Sequence, residues 1–249
     1  MYLETKSVSK SYDGRKIIED INITVEKGEL VCLLGISGSG KTTLFNIVSG
    51  LEKPDNGKVF LGGEDITAVP GRVSYMLQKD LLLPFYTVLD NVCLPLIIKK
   101  GMKKKEAREK AKGYFSVFGI EGTESKYPDA LSGGMRQRAA LLRTYLASDE
   151  IALLDEPFSA LDTITKSAVH SWYLDIMEKI KLTTLFVTHD IDEAILLSDR
   201  IYIMGGSPGK ITKEIVIDEP KPRHNDFTLT TEFLEYKKEI VRTLGEFSA

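Results

Sequence analysis

The sequence predicts an α/β fold in which a mostly parallel sheet carries an antiparallel β subdomain at the N-terminus and a helical subdomain inserted between its strands. Three observations predict it. Residues 30–34, 151–154 and 184–187 are nearly continuous apolar runs without polar alternation, the pattern of parallel strands covered on both faces. Helical segments lie between them, such as residues 163–181, where Val169, Trp172, Ile176 and Ile180 recur at steps of three or four and make an apolar stripe. Strand-like runs at 8–12 and 17–25 flank Asp13-Gly14, a hairpin signal because glycine accepts positive φ. Alternating strands and helices of this kind place a parallel sheet between helical layers.

A chain of 249 residues, 43% hydrophobic and 28% charged, removes roughly 70 to 75% of its unfolded surface from water. One domain spanning residues 1–249 is expected. The formal charge of -3 supplies no basic field, which argues against nucleic acid as a partner. The longest apolar stretches, such as 94–98 and 151–154, fall far short of the roughly 20 residues that span a bilayer, and the N-terminus lacks a signal-peptide pattern. The chain itself is therefore expected to be soluble. Cys32 and Cys93 form neither a disulfide framework nor a zinc cluster; they read as small packed side chains, in keeping with a reducing cytoplasm.

After the strand at 30–34, the next large feature is the middle of the chain, about residues 86–145, which is mostly helical, strongly charged and without a parallel-strand run. Its lysine-rich stretch at 99–112 is interspersed with Glu106 and Glu109 and lacks aromatics, so it reads as a solvated helix face. The tail, about 206–249, carries turn residues, a strand pattern at 211–217 and a helix around 233–244.

The chemistry begins at Gly35-Ile36-Ser37-Gly38-Ser39-Gly40-Lys41-Thr42, which fits G-x-x-x-x-G-K-[ST], follows an apolar strand and opens a helix carrying Leu44, Ile47 and Val48. Gly35, Gly38 and Gly40 let the backbone wrap closely, so that N–H groups of the loop and helix N-terminus, through Ser37, Ser39 and Thr43, point at phosphate oxygens. Lys41 suits the β and γ phosphates of ATP, and Thr42 places a hydroxyl on Mg²⁺. This is the core of a P-loop NTPase. Asp155 and Glu156 leave a second apolar strand together, and two such carboxylates are costly to bury unpaired. Asp155 is assigned to the Mg²⁺ shell and Glu156 to polarising an attacking water, a general-base role worth about 10² to 10⁴ in rate. His189 ends the third apolar strand, at the sheet edge where ligands of α/β folds bind, and can reach the same γ-phosphate.

Together with Leu131-Ser132-Gly133-Gly134 upstream of the Asp155-Glu156 strand, these residues resemble the ATP-binding subunits of ABC transporters, from about residue 3 to 205. The resemblance implies that adenine stacks on Tyr12, and that Gln78 senses Mg²⁺ and the γ-phosphate and links the core to the helical subdomain. It also implies that Ser132, Gly133 and Gly134 act on ATP held by a second subunit, a second copy of this chain being the simplest case, with two ATP molecules buried head to tail. Ser159-Ala160-Leu161-Asp162 resembles the loop that couples the two sites; Asp162 would also cap the helix that follows. Met135 departs from the glutamine often found at the fifth position of the signature; since the implied phosphate contacts come from Ser132 and the glycine backbone, activity is expected to survive it.

The apolar residues after Gln78, Leu81-Leu82-Leu83-Pro84-Phe85, are expected either to receive a helix from a transmembrane permease subunit or to belong to the local core. Tyr127-Pro128, Ser207-Pro208-Gly209-Lys210-Ile211 and Lys221-Pro222-Arg223 look like bacterial importer subunits of the nitrate, sulfonate, taurine and pyrimidine-precursor group. By that likeness the chain sits on the cytoplasmic face of the cell membrane and works with an extracytoplasmic solute-binding protein. The competing expectation is a soluble ATPase of the same cassette type acting in assembly or cell division.

Overall fold

The computed structural model describes residues 1–148, 150–159, 163–223 and 225–245. Its first element is the hairpin: β1 (Leu3–Tyr12) and β2 (Arg15–Val25) pair antiparallel, with Tyr12 opposite Arg15. Asp13 and Gly14 both take positive φ, 48° and 76°, so the two-residue turn follows the right-handed twist of the strands. β4 (Asn56–Leu61) and β5 (Glu64–Asp65) complete a four-stranded sheet in the order β2-β1-β4-β5.

The second sheet has six strands. β3 (Leu30–Gly35), β6 (Ser74–Met76), β7 (Ile151–Asp155), β8 (Thr183–Thr188), β9 (Arg200–Gly205) and β10 (Lys210–Val216) lie in the order β10-β9-β3-β8-β7-β6. All neighbours are parallel except β10, which runs antiparallel to β9. The central strands are apolar throughout because each divides its side chains between two cores. Cys32, Leu34, Ala152, Leu154 and Phe186 pack on the helical side, whereas Val31, Leu33, Ile151, Leu153, Leu185 and Val187 pack against the antiparallel sheet. Both cysteines are buried free thiols, and burial pushes the Cys32 thiol well up.

The helices are α1 (Lys41–Val48), α2 (Val88–Ile98), α3 (Lys104–Lys112), α4 (Gly133–Ala147), α5 (Thr163–Ile180), α6 (Ile191–Leu197) and α7 (Thr231–Gly245). Those from α2 to α4 lie between β6 and β7 in sequence, as the charged middle of the chain predicts. The Thr87 side chain caps α2 through the Asp90 N–H, and α3 buries Ala107 and Ala111 while its lysines and glutamates face outward. The tail strand and helix begin one and two residues earlier than their apolar patterns suggest, because flanking polar residues still satisfy the backbone. Arg223 anchors the tail: its buried guanidinium donates to the carbonyls of Glu219 at 2.8 Å, Ile195 at 2.9 Å, Ser198 at 2.6 Å and Ile217 at 3.1 Å.

Strand register decides where the chemistry converges. Leu34 stands opposite Thr188, and Asp155 opposite Val187. The carboxyl ends of β3, β7 and β8 are thus level, and the loops after them open on one edge of the sheet.

Candidate active site

From Gly35 the backbone turns through a tight loop into α1. Gly38 and Gly40 hold φ of 80° and 94°, in the left-handed region where an L side chain is strained. Gly40 is the N-cap of α1 and supplies no capping side chain, so first-turn N–H donors stay available to an external acceptor. The Lys41 ammonium is largely buried and folds back, Nζ donating to the carbonyls of Gly35 and Ile36, each at 2.8 Å. Burial pushes its pKa down, against the pull of Glu156 and Asp155.

A cavity of about 690 Å³ opens over this loop. Ser37, Gly38, Gly40, Lys41, Thr42 and Thr43 line one side; Gln78, Asp155, Glu156 and His189 line the other, with Ile17 and Val187 at the edges. Residues separated by almost the whole central sheet in sequence are therefore brought together. A second cavity of about 420 Å³, lined by Lys27, Leu174, Met177, Lys181 and Lys221 among others, contains none of these groups.

Glu156 is the most constrained of the set. It takes φ of 45°, a conformation that costs a non-glycine residue on the order of 1 kcal/mol or more and is held here by its surroundings. Its N–H donates to Val187 O at 2.9 Å, and its own carbonyl accepts from Ser159 Oγ at 3.0 Å. The carboxylate is gripped from two sides: Gln78 Nε2 donates to Oε2 at 3.1 Å, and His189 Nδ1 lies 3.1 Å from Oε1. Asp155 is half-buried, and burial raises its pKa; Glu156 raises it further, while the Tyr75 hydroxyl, donating to Oδ2 at 3.3 Å, and Lys41 work the other way. Thr42, Gln78 and Asp155 bring a hydroxyl, an amide and a carboxylate to the cavity, whose oxygens suit a hard divalent cation such as Mg²⁺. Among the described residues no three His, Cys, Asp or Glu side chains gather as a metal cluster, so phosphate and water would have to complete the shell of such a cation.

The loop bearing His189 is fixed from behind. Asp190 caps α6, its Oδ1 accepting from Asp192 N at 2.9 Å and Glu193 N at 3.2 Å. Lys166, from α5, bridges Asp190 Oδ2 at 2.7 Å and the buried Glu193 Oε1 at 2.5 Å, while Thr188 Oγ1 donates to Glu193 Oε2 at 2.6 Å. Burial pushes both carboxyls up, but hydrogen bonds from His170 and Lys166 to Glu193, and from Lys166 to Asp190, leave both below their ordinary values.

Ser132 caps α4, its Oγ accepting from Met135 N at 3.3 Å, and the side chain is exposed. Neither it nor Gly133 or Gly134 lines the phosphate-loop cavity. The same helix grips the segment after Gln78: Arg136 Nε is 3.3 Å from Asp80 Oδ2, and Arg143 donates to the carbonyls of Leu81, at 2.7 Å, and Asp80. Tyr12 lies outside the cavity lining, exposed, with its hydroxyl donating to Glu52 and Thr43 beside it; burial and Glu52 raise its pKa. Gly35 and Ser39 are buried behind the loop rather than facing the cavity. Asp162 lies outside the described residues. Sequence reasoning missed Tyr75, Lys166 and Glu193, whose partners are 80, 24 and up to 27 positions away and carry no local pattern.

The family model described as ABC transporter matches residues 18–159. The formylaminopyrimidine import ATP-binding protein ThiZ of Halalkalibacterium halodurans is 45% identical over 241 residues, covering 96% of this chain and 93% of that protein. The aliphatic sulfonates import ATP-binding protein SsuB of Bacillus cereus is 39% identical over 238 residues, covering 96% and 92%. Among solved structures, the dimeric ATP-binding cassette MJ0796 in a post-hydrolysis state bound to ADP and Pi superposes with a TM-score of 0.73 at 29% identity, covering 88% of this chain and 100% of that one.

Proposed function

The chain belongs to the ABC transporter family, and from that premise we propose that it is the ATP-hydrolysing subunit that powers uptake of a small solute through a separate membrane permease. The convergence of Lys41, Asp155, Glu156, Gln78 and His189 on one cavity carries this reading. The loop amides and Lys41 bind the β and γ phosphates of ATP. Thr42, Gln78 and Asp155 would hold Mg²⁺, which would neutralise charge on the phosphate oxygens. Glu156 orients a water and takes its proton as the water oxygen attacks the γ-phosphorus and the bond to the ADP oxygen breaks. His189, hydrogen-bonded to the same carboxylate, keeps it aimed at the water and presents its other nitrogen to the γ-phosphate.

Tyr12, exposed and beside Thr43 of the phosphate loop, is the adenine platform. Ser132, Gly133 and Gly134, at the N-terminus of α4, serve the γ-phosphate of ATP on a second copy, with Asp162 linking the two sites. ATP held between two copies favours the closed dimer, and hydrolysis releases it. Leu81, Leu83 and Phe85 are 52%, 44% and 90% exposed beside Gln78, an apolar edge suited to a helix from the permease. No helix among the described residues is long and apolar enough to cross a membrane, which fits a subunit held peripherally at the cytoplasmic face by that contact. The relatives named for import of formylaminopyrimidine and aliphatic sulfonates support uptake, with an extracytoplasmic solute-binding protein as the cargo-selecting partner.

Purification of the native protein in mild detergent tests the reading. Multispanning membrane subunits should co-purify and ATPase activity should depend on them; recovery with soluble partners alone rejects transport.

A further inference from the structure

Residues 206–209, the turn between β9 and β10, have no part in the chemistry above, yet they press on the phosphate loop from behind. Gly209 N donates to Ile17 O at 2.8 Å, and Gly209 O accepts from Glu19 N at 3.0 Å, which clamps the turn to β2 as a one-residue parallel bridge. Lys210 and Glu19 reinforce it with an ion pair at 2.9 Å. So fixed, Gly209 faces the loop closely enough that a Cβ there would stand 1.9 Å from Ser39 O, against backbone rather than a yielding side chain. Two further close approaches complete the cradle, one against backbone and one against a side chain. A Cβ on Gly35 would lie 2.4 Å from Met204 O, and one on Gly40 would lie 2.4 Å from Ile18 Cγ2. Ser39 is accordingly 2% exposed, and its Oγ has no hydrogen-bond partner. The Ser39 side chain is thus held by packing, while its backbone N–H donates to Ile36 O at 3.3 Å.

We propose that Gly209 is a positioning residue for nucleotide binding: clamped to β2, the tail turn sets the Ser39 carbonyl, and with it the Gly40 and Lys41 amides that meet phosphate. The inference rests on the phosphate loop holding ATP. Any side chain at 209 must push Ser39 toward the cavity or lift the turn off β2, and either displaces donors that act only when their positions are preset.

The test is ATP affinity by calorimetry on the full chain, with steady-state kinetics and the melting temperature of the nucleotide-free protein. Gly209→Ala should weaken ATP binding about tenfold, equivalent to about 1.4 kcal/mol, and raise KM while kcat at saturation stays within about threefold. Glu19→Pro removes both the hydrogen bond to Gly209 O and the ion pair with Lys210, from an edge strand and without adding bulk to the turn, and should weaken binding about threefold. Ser207→Ala, on the exposed side of the turn, should bind as wild type does. A role in stability alone would lower the melting temperature and leave the affinity of the folded protein unchanged. Wild-type affinity in folded Gly209→Ala overturns the proposal; where that variant does not fold, wild-type affinity in Glu19→Pro does so. Absence of binding by the wild type overturns the nucleotide reading itself and this inference with it, whereas intact wild-type binding with unaffected variants overturns the inference alone.

Discussion

Glu156 Oε1 and His189 Nδ1 stand 3.1 Å apart at the ends of adjacent parallel strands, while Gln78 occupies the other carboxylate oxygen. One carboxylate thus joins the loops after β6, β7 and β8. Glu156→Gln keeps the shape and removes the proposed base. Turnover, measured as phosphate release, should fall by about 10² to 10⁴, while ATP binding persists and ATP drives dimerisation on gel filtration. Normal turnover in this variant removes Glu156 from the mechanism.

The signature and the phosphate loop are expected to meet only across two copies. Ser132→Arg and Glu156→Gln should each be inactive alone. In a mixed dimer, one site combines the intact loop of the first variant with the intact signature of the second. Mixing the two should therefore restore up to about a quarter of wild-type activity, because about half of randomly paired dimers are mixed and each holds one of two sites. No recovery means that the motifs act within one chain.

The Tyr75 hydroxyl donates to Asp155 Oδ2 at 3.3 Å and its ring meets Phe45 of α1 edge-on, with centroids 5.8 Å apart. Tyr75→Phe keeps the ring contact and frees the carboxylate. The Mg²⁺ concentration for half-maximal ATPase activity should rise about threefold to tenfold, the range for losing an ordinary hydrogen bond worth about 1 kcal/mol, with melting temperature little changed. An unchanged Mg²⁺ requirement leaves Tyr75 as packing alone.

The Lys166 bridge makes stability depend on acidity. Glu193 and Asp190 have folded pKa values below their ordinary 4.5 and 3.8, so they contribute stability that is present above those values and lost as pH falls through the folded ones. The wild type should lose melting temperature below about pH 4.5. Lys166→Met should cost about 2 kcal/mol at neutral pH, with the gap narrowing as the carboxyls protonate. A gap that stays constant to about pH 3 excludes the ionic account.

What could be read from the residues divides along physical lines. The central strands were legible because burial on both faces leaves no polar alternation, and the phosphate loop because backbone curvature and an uncapped helix start demand glycines at set spacings. Asp155, Glu156 and His189 were legible as polar residues leaving apolar strands. The order of those strands was not, since it depends on which edge each crossover reaches. Nor were the contacts of Tyr75 with Asp155, Lys166 with Glu193, or Gly209 with Ser39, because each depends on tertiary approach and either residue alone is ordinary. The buried, four-carbonyl grip of Arg223 illustrates the same limit: as a sequence it is one basic residue beside a proline.

The hold of Arg136 and Arg143 on residues 80 and 81 gives α4 two ends with different company. One end is Ser132, at the mouth where a second copy would dock; along the shaft, roughly 22 Å for its 15 residues, lies the segment beside the exposed Phe85. A helix this stiff transmits displacement rather than absorbing it. A load applied by a membrane partner at residues 81–85 would swing Ser132 as the far tip of a crank, so mechanical work and phosphate chemistry would share a single moving part.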